Sequence, residues 1–193
     1  MNKLLLSLCG AACFFTTSNA FAADDWEYIP YIGMDYLYSD VNYKASKGVD
    51  HNAYHNSGSF NVGTTMGKYF GTELFVQRSD TYKKEIELGV NDKNQFNAYG
   101  LDMIGYLPFG CDLKFNLIAS FGIGEYHMRS KNRDLGQKKY TDHGFGWRTG
   151  LGAQYNFDEN WSARMVARHV NFDGIHAADH MMEYTAGIRY YFR

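Results

Sequence analysis

Three cysteines, two prolines and no long internal apolar run set the first limits on this chain. Cys9 and Cys13 sit inside a leader-like start, so Cys111 is left alone and no intramolecular disulfide framework can form. Charge of one sign is also lacking: the formal net charge is -2, without the basic field that nucleic-acid binding requires. The longest internal apolar region, 115–124, is interrupted by Asn116 and Ser120, so no internal segment can cross a membrane as a helix. Against these shortages stand twenty glycines and an aromatic fraction of 17%, a balance that favours β-structure over helix.

The start of the chain reads as an address. Lys3 gives a positive beginning, Leu4 to Phe15 is apolar, and Ala20-Phe21-Ala22 has the small-x-small form of a signal-peptidase site. The expected organisation is a signal peptide over 1–22 and one domain over 23–193.

Low average hydropathy would suggest a soluble domain, but period-two alternation argues otherwise. A transmembrane strand meets lipid on one face and the lumen on the other, so only alternate residues need be apolar. From His143 to Tyr155 one face carries His143, Phe145, Trp147, Thr149, Leu151, Ala153 and Tyr155. The other carries Gly144, Gly146, Arg148, Gly150, Gly152 and Gln154. A half-buried soluble strand would rarely place four glycines on one face, whereas a narrow barrel interior needs them beside large neighbours. Similar alternation marks 26–38, 60–66, 72–79, 95–106, 114–126, 161–172 and 183–192, giving eight strands. The expected fold is an all-β, eight-stranded antiparallel up-and-down transmembrane barrel.

Connections alternate in length: short at 67–72, 107–112 and 156–160, longer and polar at 39–57, 80–94, 128–142 and 173–180. Short turns belong to the periplasmic side and long loops to the exterior. Tyr69, Phe70, Tyr106, Phe109, Tyr155, Phe157 and Trp161 cluster near the short turns, where an interfacial girdle belongs. The chain closes on Thr185-x-Gly187-x-x-Tyr190-x-Phe192, which resembles the C-terminal signal read by the barrel-insertion machinery; Arg193 is a departure, since the aromatic usually comes last.

Tyr31-Ile32-Gly33-Met34-Asp35-Tyr36, Phe145-Gly146-Trp147-Arg148-Thr149-Gly150-Leu151-Gly152 and the terminal strand together resemble the opacity-type and outer-membrane-protein-A-like barrels, a porin-like family of eight strands. That resemblance spans the whole mature chain and implies an outer-membrane location. It also implies surface-antigen, adhesin or envelope-stabilising roles.

Three sets of residues bear on chemistry. The inward ionisable set is Asp35, Glu73, Asp102, Lys114, Arg148, Arg164, Arg168 and Arg189. Eight strands leave room only for side chains, so a charge-paired plug is expected rather than an ion path. The histidines His51, His55, His176 and His180 fall in expected loops and are read as solvated; no metal or cofactor is expected. For an enzyme, the lipid A deacylase type offers a His-x-Ser pair, but His169-Val170-Asn171 puts Asn171 where the serine would stand. Ser162 lies roughly 23 Å from His169 at ~3.3 Å per residue. Cys111 beside Asp112 is a poor nucleophile, because a neighbouring carboxylate raises its pKa.

The expected role is therefore a structural or surface-interaction barrel acting through four outer loops, with a lipid A-modifying enzyme or a small porin as the alternative. Expected partners are outer-membrane lipid and lipopolysaccharide, the insertion machinery during assembly, and a host or surface ligand at the loops.

Overall fold

The computed structural model describes residues 27–43, 51–80, 82–86, 90–109, 114–132, 140–175 and 178–193. The expected signal peptide, Trp26, Cys111 and His176 lie outside them. Among the described residues nine strands form one antiparallel sheet: β1 (Tyr28–Tyr43), β2 (His51–Met66), β3 (Phe70–Ser79), β4 (Tyr82–Ile86), β5 (Val90–Phe109), β6 (Phe115–Asn132), β7 (Tyr140–Asn156), β8 (Trp161–Asp173) and β9 (Ala178–Tyr191). β3 pairs with β5 over Phe70–Arg78, and β4 continues along the same partner, Tyr82 opposite Asn94 and Ile86 opposite Val90. The two segments are one barrel strand broken at Asp80, so eight strands close the barrel through the β1–β9 pairing.

Register fixes the geometry. One hydrogen-bonded row runs Asn42, His180, Asn171, Trp147, Ile123, Leu101, Leu74, Val62 and back to β1 at Ile32, so closure steps from residue 42 to residue 32, a stagger of ten. With ~3.3 Å per residue and ~4.8 Å between strands, that stagger tilts the strands by about 40° and gives about 2.5 Å of height per residue.

On this height scale the outward apolar residues form a continuous band. It runs from Tyr28 and Phe109 below to Tyr99 and Trp147 above, about 25 Å, as tall as the lipid-facing belt of an outer-membrane barrel. Phe70, Phe115, Tyr155, Trp161, Tyr190 and Phe192 gather at its lower edge, several ring against ring: Phe115 to Tyr155 at 4.7 Å, Trp161 to Tyr190 at 5.0 Å.

The short turns at 67–72 and 156–160 are tight. Gly67 takes φ 63°, a left-handed conformation that glycine adopts without strain, and Asp158 Oδ1 accepts the amides of Asn160 (2.8 Å) and Trp161 (2.7 Å). The four expected loops are corrected. Much of each is sheet: β1 reaches Tyr43 and β2 starts at His51, β4 and β5 form a hairpin, β6 reaches Asn132, and β9 starts at Ala178. Above the lipid the outer face meets water and need not be apolar, so the outward apolar half of the alternation fades from the sequence while backbone pairing and burial of the inner face continue.

Candidate functional site: the charged lumen

Inward side chains stack in three layers. At the lower end Ile29, Tyr31 and Tyr191 form one buried cluster and Ile104, Tyr106, Ile118 and Val166 another. At the upper end Val41, Phe96, Ala98, Tyr126, Met128, Val170, Ile175 and Met181 form an apolar cap, with Phe172 against it. Between them lie four carboxylates and four guanidiniums, all buried: Asp35, Glu73, Asp102, Glu183, Arg148, Arg164, Arg168 and Arg189.

The charges form two linked knots. In the lower one Asp35 is clamped by Arg189 through Nη1 to Oδ1 and Nη2 to Oδ2, both 2.8 Å, and Arg164 Nη2 donates to its Oδ2 at 3.1 Å. Glu73 accepts from Arg164 Nη2 (2.6 Å), Arg189 Nε (3.2 Å) and the Tyr31 hydroxyl (3.0 Å), and Asn61 Nδ2 adds a 2.7 Å bond to Asp35. In the upper one Arg148 holds Asp102 in a bidentate pair, Nε to Oδ1 at 2.6 Å and Nη2 to Oδ2. Arg148 Nη1 lies 3.9 Å from Glu183 and its guanidinium covers the Phe75 ring at 3.4 Å. Arg168 Nη2 reaches Asp102 at 3.8 Å and Nη1 donates to Thr185 Oγ1 at 2.8 Å; Gln77 Nε2 donates to Glu183 at 2.7 Å. Such multiply bonded pairs offset the desolvation of Asp35, Glu73 and Asp102, which a lone buried ion could not do, whereas Glu183 Oε2 and the Nε atoms of Arg164 and Arg168 have no hydrogen-bond partner among the described residues.

Inward glycines make room for these long side chains. A Cβ at Gly33 would strike the Arg189 guanidinium, one at Gly122 the Asp102 carboxylate, and one at Gly187 the carboxylate of Asp35. Arg148 itself lies between Gly146 and Gly150 on the inner face of β7.

Seven of the eight ionisable residues read as inward from the sequence come together here. Lys114 does not: it is exposed just before β6, at the lower mouth, beneath the apolar base. Glu183 was missed, although it shares the phase of Thr185 and Arg189 in β9; it stands at the head of the terminal alternating segment. Gln77, Asn61 and Tyr31 complete the network as neutral partners.

The terminal pattern divides by face. Thr185 and Gly187 meet the charged layer, while Tyr190 and Phe192 lie outward with their rings 5.1 Å apart, and Phe192 N donates to Pro30 O at 2.9 Å.

The histidine reading is corrected in part. His55 is buried on the inner face of β2, with its ring 5.6 Å from Phe96, because the first hairpin stays paired at that height. His180 belongs to β9 and stacks on His169 at 5.7 Å; His127 stacks on His143 at 6.0 Å. His51 lies in β2, and its side chain is not among those described. Among the described residues no group of three or more His, Cys, Asp or Glu side chains gathers to hold a metal. Ser162 is buried on the lumen side of β8 and His169 lies on its outer face, where Asn171 Nδ2 sits 3.1 Å from His169 Nδ1.

The family model for the outer membrane protein β-barrel domain matches residues 7–192. Among solved structures, the chain is similar to Ail, the attachment invasion locus protein of Yersinia pestis, at 13% identity with a TM-score of 0.61, covering 86% of this chain and 99% of that one. Neisserial surface protein A aligns with a TM-score of 0.62 at 16% identity, covering 84% and 97%. OprG of Pseudomonas aeruginosa aligns with a TM-score of 0.58 at 12% identity, covering 86% and 96%. No curated protein sequence matches.

Proposed function

The chain belongs to the outer membrane β-barrel family, and from that premise we propose a barrel with a plugged lumen, working as a structural or surface-interaction protein of the outer membrane. The observation that carries the plug is the interlocked layer of four carboxylates and four guanidiniums between an apolar cap and an apolar base. A hydrated path would have to break several charge-assisted bonds at once, and the layer spans the barrel's full width, from Asp35 and Arg189 on β1 and β9 to Asp102 on β5.

Interaction then falls to what the barrel presents outside: the paired hairpin tops of β1–β2, β4–β5, β6–β7 and β8–β9. Binding residues held on a rigid scaffold are the usual arrangement. Lipid and lipopolysaccharide around the wall, the insertion machinery during assembly and a surface ligand at the hairpin tops are the partners of this reading. An enzymatic role is disfavoured, since His169 and Ser162 occupy opposite faces of β8 and nucleophile and base must meet within hydrogen-bond reach.

The test is electrical. Purified protein in planar bilayers is expected to show no steady conductance. Reproducible channels whose ion selectivity changes in Arg148→Ala would overturn the plug and make the protein a small porin. A binding screen against matrix proteins, lipopolysaccharide and metal ions, repeated with shortened hairpins, tests the surface role.

A further inference from the structure

Four of the chain's seven histidines stand in two stacked pairs on the outer wall. His127 of β6 and His143 of β7 are direct cross-strand partners, with ring centroids 6.0 Å apart and planes 17° from parallel. Opposite residues of antiparallel strands hold their Cβ atoms about 5 Å apart, so the two imidazoles start as close neighbours. His143 is exposed and stands four residues above Trp147 on β7, about 10 Å higher at about 2.5 Å per residue. The pair therefore faces water, clear of the upper aromatic edge of the lipid band.

This pair has a carboxylate behind it. Glu125 Oε1 lies 3.2 Å from His127 Nε2, and Glu125 Oε2 accepts from the Tyr99 hydroxyl. The Tyr99 ring also stacks on His127 at 5.8 Å, so the imidazole is held from two sides. A carboxylate only accepts, so the proton of a neutral His127 sits on Nε2 and Nδ1 keeps its lone pair. The other pair, His169 with His180, differs at this point. Asn171 Nδ2 lies 3.1 Å from His169 Nδ1, and an amide nitrogen only donates, so that lone pair is already taken.

We infer that His127 and His143 bind a divalent transition metal, copper(II) ahead of zinc(II), with Glu125 as the positioning residue behind His127. Imidazole suits both metals, and at a given nitrogen site copper(II) stands above zinc(II). A histidine that ligates a metal ordinarily gives its other ring N–H to a carboxylate or carbonyl, which fixes the tautomer and raises its basicity. Glu125 already makes that bond. Metal–nitrogen bonds of about 2.0–2.1 Å require the two nitrogens to come within about 4 Å of each other. The exposed His143 closes that gap by turning about its side-chain bonds, while His127 stays fixed. Glu125 is engaged by His127 and Tyr99, so the protein supplies two ligands and water fills the open positions. A site of two ligands agrees with the lack of any gathered group of three among the described residues. It is independent of whether the lumen conducts.

Untagged protein is refolded in detergent micelles and titrated with copper(II) against a competing chelator, and electron paramagnetic resonance reports the bound nitrogens. Gel mobility with and without boiling confirms that each variant is folded. The wild type is expected to take up copper(II) with a signal from two imidazole nitrogens. His127→Gln and His143→Gln should each lose that two-nitrogen signal. Glu125→Gln should keep the signal but bind about 10–100-fold more weakly, the usual cost of removing the partner behind a ligand. Zinc(II) should displace copper(II) only in excess, and calcium(II) or magnesium(II) should not, because both prefer oxygen ligands. His169→Gln should change nothing. The assignment is overturned if the double variant His127→Gln, His143→Gln binds copper(II) as the wild type does, if Glu125→Gln keeps the wild-type affinity, or if His169→Gln costs as much as His143→Gln.

Discussion

Arg148→Ala is the sharpest test of the charged layer. The substitution removes both bonds to Asp102, withdraws the cation 3.9 Å from Glu183 and uncovers the Phe75 ring. Breaking a buried pair from one side costs ~3–5 kcal/mol, because the remaining charge stays out of water. Asp102 keeps one neighbour, Arg168 Nη2 at 3.8 Å, so the loss should fall near the lower end, about 3 kcal/mol. Arg168→Ala leaves the Arg148–Asp102 pair whole and gives up a charged hydrogen bond to Thr185 and the longer 3.8 Å contact to Asp102, about 1.5–2 kcal/mol. Changing Arg148 to Met and Asp102 to Leu together should recover most of the single-variant loss, since paired apolar replacements are often close to neutral. The assay is reversible urea unfolding in lipid vesicles, followed by tryptophan fluorescence. Arg148→Ala should also cost more than any single substitution in the outer hairpins. The reasoning is refuted if Arg148→Ala unfolds at the wild-type midpoint, if Arg168→Ala is the costlier change, or if the double variant is worse than either single one.

Three further outcomes are expected. The folded protein should run faster on unboiled than on boiled gels, because a closed barrel takes up less detergent; identical mobility together with a helical circular dichroism spectrum would contradict the fold. Phe192→Ala should lower the amount of protein reaching the outer membrane, measured by fractionation and immunoblot, since it removes the outer ring of the terminal signal; unchanged levels would count against that role. Gly187→Val should cost at least ~1–3 kcal/mol of overpacking, because the new side chain meets the Asp35 carboxylate and the Met34 carbonyl; unfolding at the wild-type midpoint would show that the lumen yields.

How much of this was legible beforehand followed the chemistry of each face. Within the lipid band the requirement is strict, apolar outside and small or charged inside, so β7 could be read residue by residue, including Arg148 between its glycines. Above the band the outer face is free to be polar, so the hairpin tops read as loops; His55, taken as solvated, is buried there on the inner face. Glu183 and Lys114 show a second limit. Both share the inward phase of their strands, and what separates them is height. Glu183 lies within the charged layer, whereas Lys114 lies below the base. Height depends on the stagger of ten, a property of all eight strands together that no single segment carries. Pair identities were hidden for the same reason, since Arg164 and Glu73 meet across 91 positions.

The Arg189–Asp35 clamp joins residues 154 positions apart, on the two strands that meet last in sequence. Until β9 arrives, Asp35 lacks its closest cation, and Glu73 lacks Arg189. An eight-stranded sheet one strand short is thus not a barrel with a gap but a sheet whose inner face still wants water. Closing the seam and drying the interior become one event, which favours a late, all-or-none step in assembly and leaves no stable half-closed form to accumulate in the membrane.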